Sequence, residues 1–84
     1  MKPIRLSAHA RERMEPRGAT EQEVLETIRT LGWGPAERGR LQCRKDFPFG
    51  RQWNGKLYAT KQVRAIFAEE AREIVVVTVY VYYF

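Results

Sequence analysis

The only histidine of the chain lies beside arginine residues near the amino terminus. His9 is followed by Arg11 and Arg13 within the stretch SAHARERM, residues 7–14. An imidazole gains or loses a proton near neutral pH, so it can serve as a general acid or base. A guanidinium group binds two oxygens of one phosphate at once. These residue types predict either acid–base chemistry on a phosphodiester or, as the alternative, the charged side of a surface helix.

Cleavage of RNA without a metal ion needs a second proton carrier and cations that hold the phosphate. A mechanism that uses two histidines is excluded, because the chain has one. Tyr80 and Tyr82 are candidate proton carriers, and Thr78 is a candidate for positioning the substrate. The candidate phosphate ligands are Arg13, Arg17 and Arg64. The hypothesis requires that His9 and at least one arginine of the sheet line the same hollow.

Other chemistries find little support in the sequence. Ser7 is the only serine, and its position suggests a helix cap rather than a nucleophile. The chain has no glycine-rich phosphate loop. With one cysteine and one histidine, it offers only a weak set of ligands for a metal ion. We therefore expect neither a cofactor nor a metal site.

The charge balance favours an acidic partner. Fifteen Lys and Arg residues oppose ten Asp and Glu residues, which gives a net charge of +5, and eleven of the fifteen are Arg. Arginine suits phosphate contacts and stacking on bases better than lysine does. The balance predicts RNA, DNA or an acidic protein as the partner. A basic surface that only keeps the protein dissolved is the alternative.

The sequence predicts a cytoplasmic protein with no membrane contact. Cys43 is the only cysteine, so no disulfide forms within the chain. Residues 1–14 lack the apolar run of a signal peptide. The apolar segment of residues 74–84 is shorter than the about 20 residues that a membrane helix needs.

Residues 1–84 are expected to form one domain in which two helices precede a sheet. The first helix is expected to end at Glu15, because Pro16 disfavours helical geometry at the residue before it. Thr20 and Glu23 have the spacing of a capping box at the start of the second helix. The apolar face of that helix comprises Val24, Leu25, Ile28 and Leu31.

The second half of the chain carries strand signals. Asn54-Gly55 predicts a tight hairpin turn, and apolar residues alternate through residues 40–47 before it and 63–67 after it. The last strand, residues 74–84, is apolar on both sides, which is typical of a central strand buried on both faces.

The last strand is expected to present two different faces. The residues expected under the helices are Val75, Val77, Val79 and Val81. Those expected to line a concave surface on the other face are Thr78, Tyr80 and Tyr82. Whether Arg64 shares a face with Thr78 or with Val77 stays open, because the length of the connecting turn decides the register.

Two stretches resemble a known family. SAHARERMEPRGATEQEVLETIRT, residues 7–30, and EIVVVTVY, residues 73–80, are similar to a family of small bacterial domains of unknown function. That family is grouped with the RelE/ParE-like toxins of the barnase–EndoU–colicin–RelE fold. The resemblance implies an α+β fold in which two helices pack on one face of a small, mostly antiparallel four-stranded sheet, in the order ααββββ. It also implies RNA cleavage, and an antitoxin protein as a partner.

The residues that match the family pattern are His9, Arg13, Arg17 and Thr78. One departure is Pro16, which leaves open whether Arg17 shares a helix face with His9 and Arg13. The predicted catalytic residues are His9, Arg13, Arg64, Thr78 and Tyr80. The predicted nucleic-acid-binding residues are Arg11, Arg17, Arg44, Lys45, Arg51 and Lys61.

Three hypotheses follow. The first is a RelE-like ribonuclease toxin, or a domain derived from one, that cleaves RNA by acid–base catalysis without a metal ion. The second is a non-catalytic module that binds nucleic acid or protein through its arginines, with Trp33, Trp53 and Tyr58 stacking on bases. The third is a homodimer formed through the carboxyl-terminal strand, which has high β-propensity and no charge after Glu73.

Overall fold

The computed structural model describes residues 1–30 and 32–84, and within them the chain folds as one five-stranded sheet with two α-helices against one face. In chain order the elements are β1 (Ile4–Leu6), α1 (Ala8–Arg17), α2 (Glu21–Arg29), β2 (Gly34–Pro35), a 3-10 turn (Glu37–Gly39), β3 (Leu41–Trp53), β4 (Lys56–Glu69) and β5 (Ile74–Tyr83). The strands lie in the order β1-β5-β4-β3-β2. Leu31, which is predicted on the apolar face of the second helix, lies outside the described residues.

The α+β class is confirmed, whereas the predicted number and order of the strands are wrong. Within the described residues the sheet has five strands rather than four, and β1 precedes both helices. β1 pairs in parallel with β5, with Ile4 opposite Ile74. β1 has only three residues, and its partner strand lies far away along the chain, so no local sequence pattern predicts it. β2 is a Gly-Pro dipeptide, and both residues are rare in strands.

β3 and β4 form a long antiparallel hairpin around Asn54-Gly55. Trp53 lies opposite Lys56, and the two turn residues have φ angles of 51° and 80°. A type I′ turn requires positive φ at both positions, so the predicted turn is confirmed. The alternating segments on either side belong to two continuous strands of 13 and 14 residues.

α1 ends two residues later than expected, because a glycine closes it. Gly18 has φ 81°, and its N–H donates to the carbonyl of Glu15 at 3.1 Å. The N–H of Ala19 donates to the carbonyl of Met14 at 3.0 Å, which completes a Schellman motif. Met14 and Ala19 are both buried, which provides the apolar contact that accompanies this motif.

Pro16 lies in the last turn of α1 without ending the helix. Its missing N–H removes one hydrogen bond, and the glycine closure holds the turn in place. Arg17 therefore keeps its helical position, one turn after Arg13.

α2 begins with the predicted capping box. The hydroxyl of Thr20 accepts a hydrogen bond from the N–H of Glu23 at 3.1 Å, and the Glu23 carboxylate accepts one from the N–H of Thr20 at 2.9 Å. Val24 and Ile28 turn into the core between the helices and the sheet. The other core residues are Leu6, Ala10, Met14, Ala19, Cys43, Val63, Ala65, Phe67, Ile74, Val76 and Val79.

A β-bulge in β5 changes which residues face the helices. Thr78 lies opposite Ile66 and Val76 lies opposite Phe67, so Val77 has no partner of its own. The alternation of side chains therefore shifts by one residue at this point. The residues on the helix side are Ile74, Val76, Val79 and Val81, and those on the other side are Val75, Thr78, Tyr80 and Tyr82.

The expected division of β5 is correct after the bulge and wrong before it. Val79 and Val81 pack under the helices, but Val75 does not, because Val76 takes that side. The strand is also not buried on both faces, since the side that carries Tyr80 remains open to solvent. β1 covers the outer edge of β5 only along Ile74–Val76.

Candidate nucleic-acid interface

The face of the sheet opposite the helices, which we call the open face, carries a groove of about 720 Å³. A volume of this order suits a small ligand or one segment of a larger one. Side chains from β3, β4 and β5 form the floor, and the loop that contains the 3-10 turn forms a wall. The lining residues are Pro35, Ala36, Glu37, Arg38, Arg40, Gln42, Arg64, Ile66, Thr78 and Tyr80.

Strand register brings the floor residues together. Arg64 of β4 lies opposite Tyr80 of β5, and Ile66 lies opposite both Thr78 and Gln42 on its two neighbouring strands. The bulge therefore answers the question of register that the sequence left open, because Arg64 shares a face with Thr78. Three of the five predicted catalytic residues, Arg64, Thr78 and Tyr80, line one groove.

Polar contacts hold the Arg64 guanidinium in place on the open face. Its Nε donates to Oε1 of Gln42 at 2.7 Å, and its Nη1 donates to the hydroxyl of Tyr82 at 3.5 Å. The guanidinium carbon also lies 5.5 Å from the centre of the Tyr80 ring. Arg44 is the strand partner of Arg64 on β3, so two like charges lie opposite each other on one face.

Arg17 reaches the same tyrosine from the edge of the sheet. Its Nη1 donates to the carbonyl of Val79 at 2.6 Å, and its guanidinium carbon lies 5.0 Å from the centre of the Tyr80 ring. The Val79 carbonyl is accessible to it because β1 ends opposite Val76. The exposed Tyr80 ring thus lies within 5.5 Å of two guanidinium groups, from Arg17 and Arg64.

His9 and Arg13 lie on α1 outside the groove. Intervals of four residues place His9, Arg13 and Arg17 along one side of the helix, and the first two are exposed. Arg11 lies on the opposite flank, where its Nη2 is 3.6 Å from the Glu21 carboxylate at the start of α2. The groove lining contains Arg64 but not His9. The two groups that the ribonuclease hypothesis requires in one hollow are not brought together there.

Two lysines predicted to bind nucleic acid face the helices instead. Lys61 is only 4% exposed, and its ammonium group donates to the carbonyl of Gly18 at 2.8 Å and lies 2.8 Å from the Glu23 carboxylate. The Lys45 ammonium lies 3.8 Å from the Glu26 carboxylate of α2. Neither lysine lies on the open face, because each lies two residues from a core residue of its strand, Cys43 or Val63, and therefore on the same face.

The remaining predicted binding residues occupy separate places. Arg44 is exposed on the open face. Arg51 lies near the tip of the hairpin, with its guanidinium 4.9 Å from the centre of the Phe49 ring. Trp33 packs edge-on against Phe67. Trp53 stacks on Tyr83 at 4.8 Å, and Tyr58 lies 5.7 Å from the same ring. These three aromatic residues contact other rings of the protein.

Sequence reasoning missed the wall of the groove. Glu37, Arg38 and Arg40 belong to the charged stretch ERGR, residues 37–40, which lies between Pro35 and Leu41. A turn with three charged residues so close to a strand is a signal that was available. Within the described residues no three His, Cys, Asp or Glu side chains group as a metal site.

Buried ionisable groups lie on the helix side of the sheet. Burial raises the pKa of the Cys43 thiol to about 11, so this thiol stays protonated near neutral pH. Burial likewise raises the pKa of Tyr83. Neither group lines the groove.

No family model matches the sequence, and neither a curated protein nor a solved structure is significantly similar to it. Within the described part of the chain, neither helix has the length and apolar character that would allow it to cross a membrane.

Proposed function

We propose that the open face binds single-stranded RNA. The observation that carries the proposal is the groove itself, which is lined by three arginines and by the exposed Tyr80. The arginines are Arg38, Arg40 and Arg64. Proteins that bind single strands combine a cationic groove for the backbone with aromatic rings on which bases stack. The groove offers both kinds of group within one space of about 720 Å³.

The charges of the open face support a polyanionic ligand. Arg44 and Arg64 lie opposite each other on neighbouring strands, and like charges in that arrangement repel. Glu37 is the only carboxylate among the lining residues. A phosphate backbone along this face relieves the repulsion and releases its own counterions, which favours binding.

The choice of RNA, and of a relation to RelE-like toxins, rests on the sequence resemblance. That resemblance carries with it a cytoplasmic toxin–antitoxin setting and an antitoxin protein that covers the basic face. The toxin–antitoxin setting and the antitoxin partner remain parts of the proposal. Binding of a single-stranded nucleic acid by the groove stands without them, because it depends on the groove alone.

Binding of a short fluorescent RNA, measured by anisotropy at several salt concentrations, tests the proposal. Arg64→Ala is expected to weaken binding about tenfold and to flatten the salt dependence by about 0.7 in log–log slope, as loss of one phosphate contact does on a single strand. Arg29→Ala is the matched control, because it removes the same charge from exposed α2 on the other side of the sheet. Equal losses for the two variants contradict a specific groove.

Cleavage of the bound RNA is a second candidate function. The observation that favours it is that Tyr80 and Glu37, whose side chains are able to transfer protons, line the same groove as three arginines. In such a reaction the 2′-oxygen attacks phosphorus and the bond to the 5′-oxygen breaks. A base takes the proton from the 2′-hydroxyl, and an acid returns one to the 5′-oxygen. Guanidinium groups stabilise the charge on the phosphate oxygens.

A pair of variants assayed with EDTA present tests cleavage. Tyr80→Phe is expected to abolish cleavage while retaining RNA binding, because it removes only a hydroxyl. His9→Ala is expected to retain cleavage, because His9 does not line the groove. The opposite result assigns the chemistry to His9 on α1. If the unchanged protein cleaves no RNA, this second function is refuted while the binding proposal stands.

A further inference from the structure

A row of exposed aromatic side chains continues from the groove along β5. Tyr80, Tyr82 and Phe84 are alternate residues and are 38%, 42% and 58% exposed. Phe84 belongs to the same ladder, since it exchanges two backbone hydrogen bonds with Thr60 of β4, at 2.8 and 3.0 Å. Within the described residues, the only other large apolar side chains this exposed are Met1 and Leu57. Three of the five exposed large apolar side chains of the described residues therefore lie in this row.

Polar groups accompany the row on the neighbouring strand. Arg64 lies opposite Tyr80 and also contacts the hydroxyl of Tyr82, while Gln62 lies opposite Tyr82. The Gln62 amide donates to the carboxylate of Asp46 at 2.8 Å, so this acid is already engaged. Rings with cationic and amide neighbours suit the faces of nucleobases better than the dry surface of another protein core.

The spacing of the row matches successive nucleotides. Alternate residues of a strand lie about 6.7 Å apart on the same face. RNA-binding sheets use exposed aromatic residues to stack two or three bases. The row begins at Tyr80, which also lines the groove, so one strand of RNA can follow the groove and the row without a break.

We propose that three successive bases of single-stranded RNA stack on Tyr80, Tyr82 and Phe84, while Arg17 and Arg64 hold the backbone beside them. This inference rests on the proposed RNA-binding function, and it adds the path of the RNA, which follows β5. It also sets a length for the site, because Tyr82 and Phe84 contribute two nucleotides beyond those held in the groove.

The test combines variants of the aromatic row with two kinds of RNA, one intact and one in which some positions lack a base. Tyr82→Ser is expected to weaken binding of a six-nucleotide oligoadenylate by about tenfold, as loss of one stacked base does. An oligomer of the same length with abasic positions is expected to bind the unchanged protein more weakly, and Tyr82→Ser is expected to cause no further loss. Phe84→Ser should behave in the same way. Leu57→Ser is the control, because it removes an exposed apolar side chain from the hairpin.

Several outcomes decide the matter. Independent, additive losses from the abasic RNA and from Tyr82→Ser contradict stacking. If Arg64→Ala weakens binding while Tyr82→Ser and Phe84→Ser do not, the groove stands and the aromatic row is refuted. If the unchanged protein binds no RNA, the proposed function itself is refuted. Sedimentation measures the oligomeric state. If the unchanged protein is a dimer, and Tyr82→Ser converts it to a monomer while RNA binding is unchanged, a second copy of the protein covers the row instead.

Discussion

Arg38 has a backbone conformation that arginine rarely adopts. Its φ and ψ are 61° and 34°, in the left-handed region, and Gly39 follows with φ 72°. A side chain in this region costs about 1 kcal/mol relative to glycine. The two residues turn the chain between Pro35 and Leu41, so that Arg38 joins the wall of the groove. The strain lies where the proposed ligand binds, and not in the core.

Replacing Arg38 with glycine separates folding from binding. Because glycine adopts this conformation freely, Arg38→Gly is expected to leave the free energy of unfolding unchanged or to raise it by up to about 1 kcal/mol. The same change removes one cation from the groove and is expected to weaken RNA binding severalfold. Thermal melts and anisotropy measure the two effects. A loss of stability argues that the arginine side chain supports the turn, and Arg38→Asn, which tolerates the same backbone without the charge, serves as the second variant.

Cys43 makes the stability of the protein depend on alkaline pH. Burial raises the pKa of its thiol from 9.0 to about 11 in the folded state. Below pH 9 the thiol is protonated in both states, and its contribution to stability is complete. As the pH rises from 9 to 11, the unfolded thiol ionises while the folded one cannot, so the folded state loses stability.

Urea titrations at pH 8 and pH 10.5 measure this effect. The unchanged protein is expected to lose more stability across that interval than Cys43→Ala, although the variant starts lower because it leaves a small cavity. Tyr83, whose pKa is also raised by burial, is present in both proteins and contributes to the slope that remains. Identical slopes contradict the role of the thiol.

At the scale of elements, one junction fixes the carboxyl end of α1 against the far end of the sheet. Trp53 stacks on Tyr83, and the hydroxyl of Tyr83 donates to the carbonyl of Arg17 at 2.7 Å. The buried ammonium of Lys61 donates to the carbonyl of Gly18 at 2.8 Å. These contacts hold the last turn of α1 where the Arg17 side chain reaches Tyr80.

Gly18 has no room for a larger residue at this junction. A Cβ on Gly18 collides with the hydroxyl of Tyr83 and lies 2.8 Å from a ring carbon of Trp53, and φ is 81°. Gly18→Ala is expected to destabilise the protein by about 2–4 kcal/mol, from the backbone conformation and the clash together. Gly50→Ala is the matched control, because Gly50 also has positive φ but nothing lies within 4 Å of its Cβ position. Its cost should be about 1 kcal/mol, and equal losses in thermal melts contradict the clash.

Elements with a local signal were predictable, and elements fixed by distant contacts were not. The capping box at Thr20 and the Asn54-Gly55 turn each depend on neighbouring residues, and both are confirmed. The bulge at Val77 is different, because several valines in a row fit either face of a sheet. Its position follows from how β5 meets β4 and α1. The parallel pairing of β1 with β5 also leaves no recognisable pattern in the sequence.

The candidate site followed the same division. Alternation along β4 places Lys61 with Val63 and Ala65, so the burial of this lysine was available from the pattern and was overlooked. The bulge places Arg64, Thr78 and Tyr80 on one face of the sheet, and no local sequence pattern predicts it. Arg38 and Arg40 were missed because they lie in a turn, where the period of neither helix nor strand indicates direction.

At the scale of the whole molecule, residues near the two ends of the described chain pair with each other. β1 pairs with β5 through Ile4–Leu6 and Ile74–Val76. The N–H of Ser7 donates to the carbonyl of Val76 at 3.0 Å, and the hydroxyl of Ser7 donates to that of Val77. α1 starts directly from this pairing. The position of Arg17 beside Tyr80 therefore depends on contacts between segments about 70 residues apart in sequence.

Contacts at such separation are expected to form late in folding, because closing a long loop precedes the gain from the contact. Leu6 is 5% exposed in β1, so Leu6→Ala is expected to destabilise the protein by about 3 kcal/mol. If β1 docks last, the loss appears mainly as faster unfolding. Val63→Ala is the comparison, because Val63 is fully buried in the β3–β4 hairpin, whose turn is local. It is expected to slow folding instead.

Stopped-flow folding and unfolding in urea distinguish the two variants. Leu6→Ala should leave the folding rate within about twofold of that of the unchanged protein, whereas Val63→Ala should reduce it several times more. If Leu6→Ala slows folding as much as Val63→Ala does, β1 is already docked in the transition state and the order is reversed. Under the expected order, the hairpin that carries Arg64 forms first. The proposed RNA surface is then complete only when β1 joins β5 and brings Arg17 to the ring of Tyr80.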